Sequence, residues 1–141
     1  MPYKHLLDTA TADVAFDASG KTLSELFESA CLATSEVMVD LKTVKPVTEK
    51  TFTKENQNLD GLLYDVLDEL VFLKDTDNLL FIQFKIEVTE GKPNKSSVTA
   101  MGQKIDQKTM DLRNDVKAVT YHLFELKKTK SGYSAKVLLD V

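Results

Sequence analysis

Apolar residues recur along this chain at two spacings, one typical of β-strands and one typical of α-helices. Alternation of apolar and polar positions indicates a half-buried strand, whereas apolar residues three and four positions apart indicate the buried stripe of a helix. The alternating stretches, together with two less regular ones, predict strands at residues 3–8, 12–16, 44–54, 79–89, 97–103, 118–126 and 133–140.

Helical spacing occurs in two places. The first helix is predicted to begin at the capping box Thr22-Leu23-Ser24-Glu25 and to end near Val39, since the Thr hydroxyl and the Glu carboxylate can satisfy free backbone N–H groups. The second is predicted over residues 59–73, with Asn58 as its cap and its acidic residues facing water.

The order of these elements indicates the fold class. Two strands, a helix, a strand, a helix and four strands do not alternate strictly, which argues against a doubly wound parallel sheet. A Gly-containing turn joins the last two strands as a hairpin. We therefore expect a single α+β domain over residues 1–141, with a largely antiparallel sheet covered on one face by two helices.

Composition and charge limit the cellular location and the kinds of binding partner that we expect. The chain has 141 residues, 43% apolar and 28% charged, which is ordinary for one globular domain. Cys31 is the only cysteine, and no apolar run approaches the roughly 18 residues of a membrane span, so we expect a soluble cytoplasmic protein without a membrane partner. The net charge is −4 and the isoelectric point about 5.2, which disfavours direct, high-affinity RNA binding. Contact with RNA through a protein partner stays open.

Common catalytic motifs are missing from the sequence. It contains no phosphate-binding loop, nucleophile elbow, dinucleotide fingerprint or CxxC or HExxH motif, and its two His residues are too few for a His-rich metal site. Cys31 lies within the first helical pattern and is predicted to be an inert core residue.

Two carboxylates are the remaining candidates for chemistry. Asp13 interrupts an apolar strand pattern, and Asp140 ends the last strand beside Val141, whose α-carboxylate would be close by. Hard divalent cations take clustered oxygen ligands of this kind. A cation site and a pair of solvated strand-end acids are both compatible with the spacing, and no local pattern places Asp13 beside Asp140.

Three segments give the chain a family resemblance. The hexapeptide KAVTYH at residues 117–122, TADV at 11–14 and LLDV at 138–141 resemble the archease family, and the likeness extends from about residue 3 to residue 141. Archeases are accessory proteins of the RtcB-type RNA ligase that joins tRNA exons. The resemblance implies a non-enzymatic activator that promotes guanylylation and multiple turnover of that ligase.

The same resemblance implies a set of site residues. In the family, a divalent cation, typically Ca²⁺, is held by residues that correspond to Asp13, Asp140 and Val141, and the Lys that corresponds to Lys117 is implicated in activation. The usual acidic residue and His before the TADV segment are replaced by Thr9 and Ala10.

Other departures from the family pattern are Ala15 in place of a frequent Gly and Gln103 in place of a Glu after Gly102. We therefore expect a weaker cation site, or one completed by Asp8 or water. Two other functions stay open, a general chaperone or protein-interaction module and a small metal-dependent hydrolase; a missing nucleophile and general base argue against the hydrolase.

Overall fold

The computed structural model describes residues 3–6 and 13–141. Within these residues, the strands and helices follow one another in the predicted order, with one short 3-10 helix added at Leu41–Thr43. The predicted strand residues 7, 8 and 12 lie outside the described part. The elements are β1 Tyr3–Leu6, β2 Asp13–Gly20, α1 Leu23–Met38, β3 Thr48–Asn56, α2 Leu59–Asp77, β4 Leu79–Thr89, β5 Asn94–Lys104, β6 Ala118–Thr129 and β7 Gly132–Asp140.

The described strands form two antiparallel sheets, with the orders β1-β2-β7-β6 and β3-β5-β4. The α+β class and the antiparallel pairing are confirmed, whereas the expectation of a single sheet is wrong. The closing hairpin β6-β7 adds to β2 instead of β5, so residues 105–117 carry the chain from one sheet to the other. Helix α1 contacts β2 in the first sheet and β4 in the second, and α2 contacts both sheets as well.

The helix ends are set by local hydrogen bonds and by burial. At the start of α1, Thr22 Oγ1 accepts a hydrogen bond from the Glu25 N–H at 3.1 Å, as the capping box predicts. Asn58 is the N-cap residue of α2, as predicted, but its side chain forms no capping hydrogen bond. Helix α2 also runs four residues beyond its predicted end and stops at Asn78, whose φ of 55° is left-handed.

One apolar core joins both helices to the covered faces of both sheets. Its largest fully buried side chains include Phe16 in β2, Phe27 in α1 and Leu67 in α2. Cys31 is fully buried among them, as predicted, and burial raises the pKa of its thiol. None of the helices in the described ranges is both long and apolar enough to cross a membrane.

Two strands depart from the strict alternation that their sequences predict. In β4 the register shifts between Phe81 and Gln83, so Phe81 is buried where alternation would expose it. Opposite this bulge, a Cβ atom on Gly102 would clash with the Leu80 carbonyl oxygen, which explains why glycine stands there. In β6 the register shifts between Thr120 and Glu125. Four residues of β6 lie between these positions, whereas β7 has only Val137 between the two partners.

Candidate functional site

Asp13 and Asp140 lie directly opposite each other on the neighbouring antiparallel strands β2 and β7. Directly opposed residues project their side chains to the same face of a sheet, with Cβ atoms about 5 Å apart. Val141 follows Asp140 at once, so its main-chain oxygen lies next to the two acids. The fold thus joins residues from the two ends of the chain into one group.

This acid pair carries unbalanced negative charge. Both residues are half-buried, and among the described residues neither carboxylate has a Lys, Arg or His nitrogen within 4.0 Å. Like charges directly opposite each other destabilise a sheet. Four residues further along β2 the neighbours are different, because Lys4 in β1 and Lys136 in β7 stand opposite Asp17 in the strand register.

The donor set fits part of a shell for a hard cation. Ca²⁺ takes six to eight oxygen ligands at about 2.4 Å, and two carboxylates with a main-chain oxygen are ligands of that type. In the described part of the chain, no cluster of three or more His, Cys, Asp or Glu residues is arranged to hold a metal. The remaining positions would belong to water, to a partner or to residues outside the described ranges. Asp8, Thr9 and Ala10 lie outside the described residues.

Lys117 lies beside the acid pair. Its backbone N–H donates a hydrogen bond of 2.7 Å to the carbonyl oxygen of Asp140, and Ala118, the next residue, is paired with Asp140 across β6 and β7. The Lys117 side chain is exposed. All four residues that the family resemblance implies therefore lie at one end of the four-stranded sheet, with the amine of Lys117 accessible to a partner.

A buried lysine that the sequence reasoning missed holds the segment before Lys117. The Lys74 side chain in α2 is only 7% exposed, and its Nζ donates to the Asp115 carboxylate, to Asp75 Oδ1 at 2.8 Å and to the Val116 carbonyl oxygen at 2.8 Å. Burial lowers the pKa of Lys74, but the two carboxylates outweigh burial and raise it.

The helical spacing of the sequence contains a signal for the burial of Lys74. Lys74 stands four positions after Leu70 and three after Val71, so it continues the buried stripe of α2 beyond the predicted end of the helix. Its hydrogen bonds fix the backbone at residues 115–116, and hence the start of the segment that carries Lys117.

Much of the segment at residues 105–115 is attached to the end of α1. The Arg113 N–H donates to the Met38 carbonyl oxygen at 2.8 Å, and the Asn114 N–H donates to the Val37 carbonyl oxygen at 3.0 Å. These bonds replace the regular pairing that the segment lacks. The segment that precedes Lys117 is therefore held in place by both α1 and α2.

The acid pair does not lie in the cavity that residues of β1, β2, β6 and β7 line. That cavity, of about 650 Å³, is lined by charges of both signs, including Lys4, Asp17, Glu125 and Lys136. Since Asp17 lies four residues along β2 from Asp13, the two places are about 13 Å apart. The acid pair thus lies outside this cavity, at one end of the four-stranded sheet.

Comparison with known proteins identifies the family. A family model described as the Archease protein family matches residues 3–141. Proteins named "Protein archease" from Methanosarcina barkeri and Methanothermobacter thermautotrophicus are 36% and 39% identical to this chain, over 93% of it and over 91% and 94% of their own lengths. The chain is a small α+β protein. It belongs to the archease family.

Two solved structures share the fold of this chain. The solution structure of protein 1598 from Methanobacterium thermoautotrophicum superposes with a TM-score of 0.85 at 35% identity, covering 99% of both chains. A crystal structure from Thermotoga maritima, described as an archease and possible chaperone, shares the fold with a TM-score of 0.62 at 22% identity over 96% of both chains.

Proposed function

We propose that this protein is a non-enzymatic activator of an RtcB-type tRNA-splicing RNA ligase, which promotes guanylylation of the ligase and its multiple turnover in tRNA exon joining. The observation that carries the proposal is the opposition of Asp13 and Asp140 at the end of a sheet, next to the exposed Lys117. Membership of the archease family supports it.

Asp13, Asp140 and Val141 are proposed to hold a divalent cation, with Ca²⁺ preferred because all their donor atoms are hard oxygens. A cation held by so few protein ligands keeps coordination positions open for oxygen atoms of the ligase. The pair could in this way help to bring a metal ion to the ligase site. Lys117 is proposed to contact an acidic or phosphate group there.

The ligase is proposed to be a protein partner, with only indirect or weak contact between this protein and RNA. The net charge of −4 supports that arrangement, since phosphate backbones are bound by basic surfaces. The cytoplasm is the proposed location, because the only cysteine is buried and unpaired and a reducing compartment suits it.

A ligation assay with a limiting amount of the RtcB-type ligase tests the function. We expect added protein to raise both the guanylylated fraction of the ligase and the number of exon pairs that each ligase joins. The variants Asp13→Asn and Asp140→Asn should abolish the stimulation. Asp17→Asn is the matched control, since Asp17 lies in the same strand on the same face but stands opposite lysines instead of an acid. Unchanged guanylylation and turnover with wild-type protein would refute the proposal.

A general chaperone or protein-interaction module is the second candidate, supported by the exposed apolar side chains of Tyr121 and Leu123. Co-purification separates the two functions. A ligase activator should capture one dominant partner, whereas a chaperone should capture many unrelated proteins.

A further inference from the structure

An exposed pair of stacked aromatic rings joins α2 to the irregular part of β6. The ring centroids of Tyr64 and Tyr121 are 3.9 Å apart with their planes at 10°, and the ring of Phe124 meets both edge-on. Tyr121 is nevertheless 64% exposed. Tyr64 therefore covers one face of the Tyr121 ring, and the other face is open to solvent.

The backbone of β6 is distorted at this place. The register shift between Thr120 and Glu125 leaves residues 121–124 outside the regular ladder, and Leu123 has a φ of 58°, a left-handed value that is uncommon for leucine. An undistorted strand would continue the alternation that Val119 begins, and that alternation would bury Tyr121. Tyr121 stacks on α2, the helix that packs on β6, but remains exposed.

Negative charge surrounds this aromatic pair. Asp60, Tyr64 and Asp68 recur every four residues and so share one row of α2, with Asp65 beside them. Partial burial and then the charges of Asp65, Asp60 and Asp68 raise the pKa of Tyr121.

No cation compensates these three carboxylates within residues 3–6 and 13–141. None of them forms an ion pair there, and Asp65 is hydrogen-bonded only to the neutral Asn56 amide, at 3.0 Å. By contrast, Glu69, one turn after Asp65, is paired with Lys54 at 2.9 Å.

We propose that the aromatic–acidic patch, formed by Tyr64, Tyr121, Asp60, Asp65 and Asp68, binds an arginine side chain of the ligase. The inference rests on the proposed function. A guanidinium group is planar and positively charged, so it can stack on the open face of Tyr121 while its N–H groups pair with the surrounding carboxylates. The same carboxylates repel the phosphates of RNA, which favours a protein partner at this place.

The patch and the acid pair lie near the same end of β6. Tyr121 follows Ala118 by three residues, and Ala118 is paired with Asp140. Three residues of chain span at most about 11 Å between Cα atoms. The patch is therefore a neighbour of the acid pair in the fold.

Affinity measurements with the RtcB-type ligase test the patch. We expect Tyr121→Ala to raise the dissociation constant about tenfold, and Tyr121→Phe to stay within about threefold of wild type because the ring face is retained. Asp68→Lys should weaken binding more than Tyr121→Ala and reduce its salt dependence. Phe72→Ala is the control, since Phe72 is an exposed aromatic residue of α2 outside the patch.

A calcium titration of each variant separates the possible failures. Calcium binding should be the same in Tyr121→Ala, Asp68→Lys and wild type, which would show that the fold and the acid pair are intact. If the ligase binds both variants as tightly as wild type, the patch proposal is wrong and the activator function is unaffected. If wild-type protein neither binds nor stimulates the ligase, both proposals fail.

Discussion

The carboxylates of Asp13 and Asp140 repel each other across the sheet unless a cation lies between them. Asp17, in the same strand and on the same face, stands opposite lysines on both neighbouring strands. One strand therefore contains an acid opposite another acid and an acid opposite lysines. The effect of an Asp→Asn substitution on stability should therefore differ between Asp13 and Asp17, and at Asp13 it should depend on whether a metal ion is bound.

We predict that the effect of Asp13→Asn on the free energy of unfolding changes sign when calcium is added. In EDTA the variant should be as stable as wild type or more stable, by up to about 1 kcal/mol, because a repulsion is removed. A cation at one hundred times its dissociation constant stabilises wild type by about 2.7 kcal/mol, or roughly 8 °C in Tm for a domain of this size, and the variant should not show this increase.

Thermal unfolding of wild type, Asp13→Asn and Asp17→Asn, each with calcium and with EDTA, measures this effect. Asp17→Asn should lose a little stability in EDTA and keep the calcium response. If calcium shifts the Tm of Asp13→Asn as much as that of wild type, Asp13 is not a ligand.

Among the elements, α2 and residues 105–117 depend on each other. Lys74 is the only charged side chain on the buried stripe of α2, and it binds two acids and the Val116 carbonyl oxygen. The acids are exposed, so water screens their attraction, and the buried contact with Val116 matters more. The segment that leads to Lys117 is held in this way from α2.

We predict that Lys74→Met lowers the free energy of unfolding by roughly 1–3 kcal/mol, because it leaves the Val116 carbonyl oxygen unsatisfied while keeping the volume of the side chain. Hydrogen exchange at the Lys117 amide, which donates to Asp140, should also become faster. Lys50→Met is the control. Lys50 is likewise paired with an acid of α2, Asp77 at 3.1 Å, but the pair is exposed and its loss should cost at most about 0.5 kcal/mol. Equal effects of the two variants in urea unfolding would contradict the role given to Lys74.

At the scale of the whole molecule, one continuous core links both sheets through the two helices. Neither sheet has a core of its own, so the two sheets and the helices form one folding unit. Groups far apart on the surface then contribute to the same unfolding equilibrium.

We predict that the protein loses stability at alkaline pH. Tyr3, Tyr64, Tyr121 and Lys74 all have raised pKa values, that of Tyr3 reaching about 12 through burial and its hydrogen bond to Glu36. Each group binds its proton more tightly in the folded state. The resulting stability is complete below the unfolded pKa values near 10 and is lost as the pH rises through the folded ones.

Urea midpoints between pH 8 and pH 11.5 measure this loss, and Tyr3→Phe should make the dependence shallower. A midpoint that rises from pH 9.5 to pH 11 would show that the sign is wrong.

Much of the local structure could be predicted from the sequence, since each element depends on residues that are near in the chain. The alternation from Leu79 to Thr89 yields β4 with both ends correct, and the capping box at Thr22 marks the start of α1. The residue types of the candidate site followed from the resemblance of three short segments to archeases. Strict alternation fails at Phe81, where a bulge in β4 changes the side of the strand that a residue faces.

Only the tertiary structure decided which distant residues meet. Asp13 and Asp140 come from opposite ends of the chain, and their opposition depends on the pairing of β2 with β7 and on its register. The separation into two sheets, the buried contacts of Lys74 and the exposed stack of Tyr121 on Tyr64 have the same origin. Local periodicity records whether a residue faces the core, because burial repeats along one element. It holds no record of which element lies alongside, because that choice depends on how all the elements fill one core together.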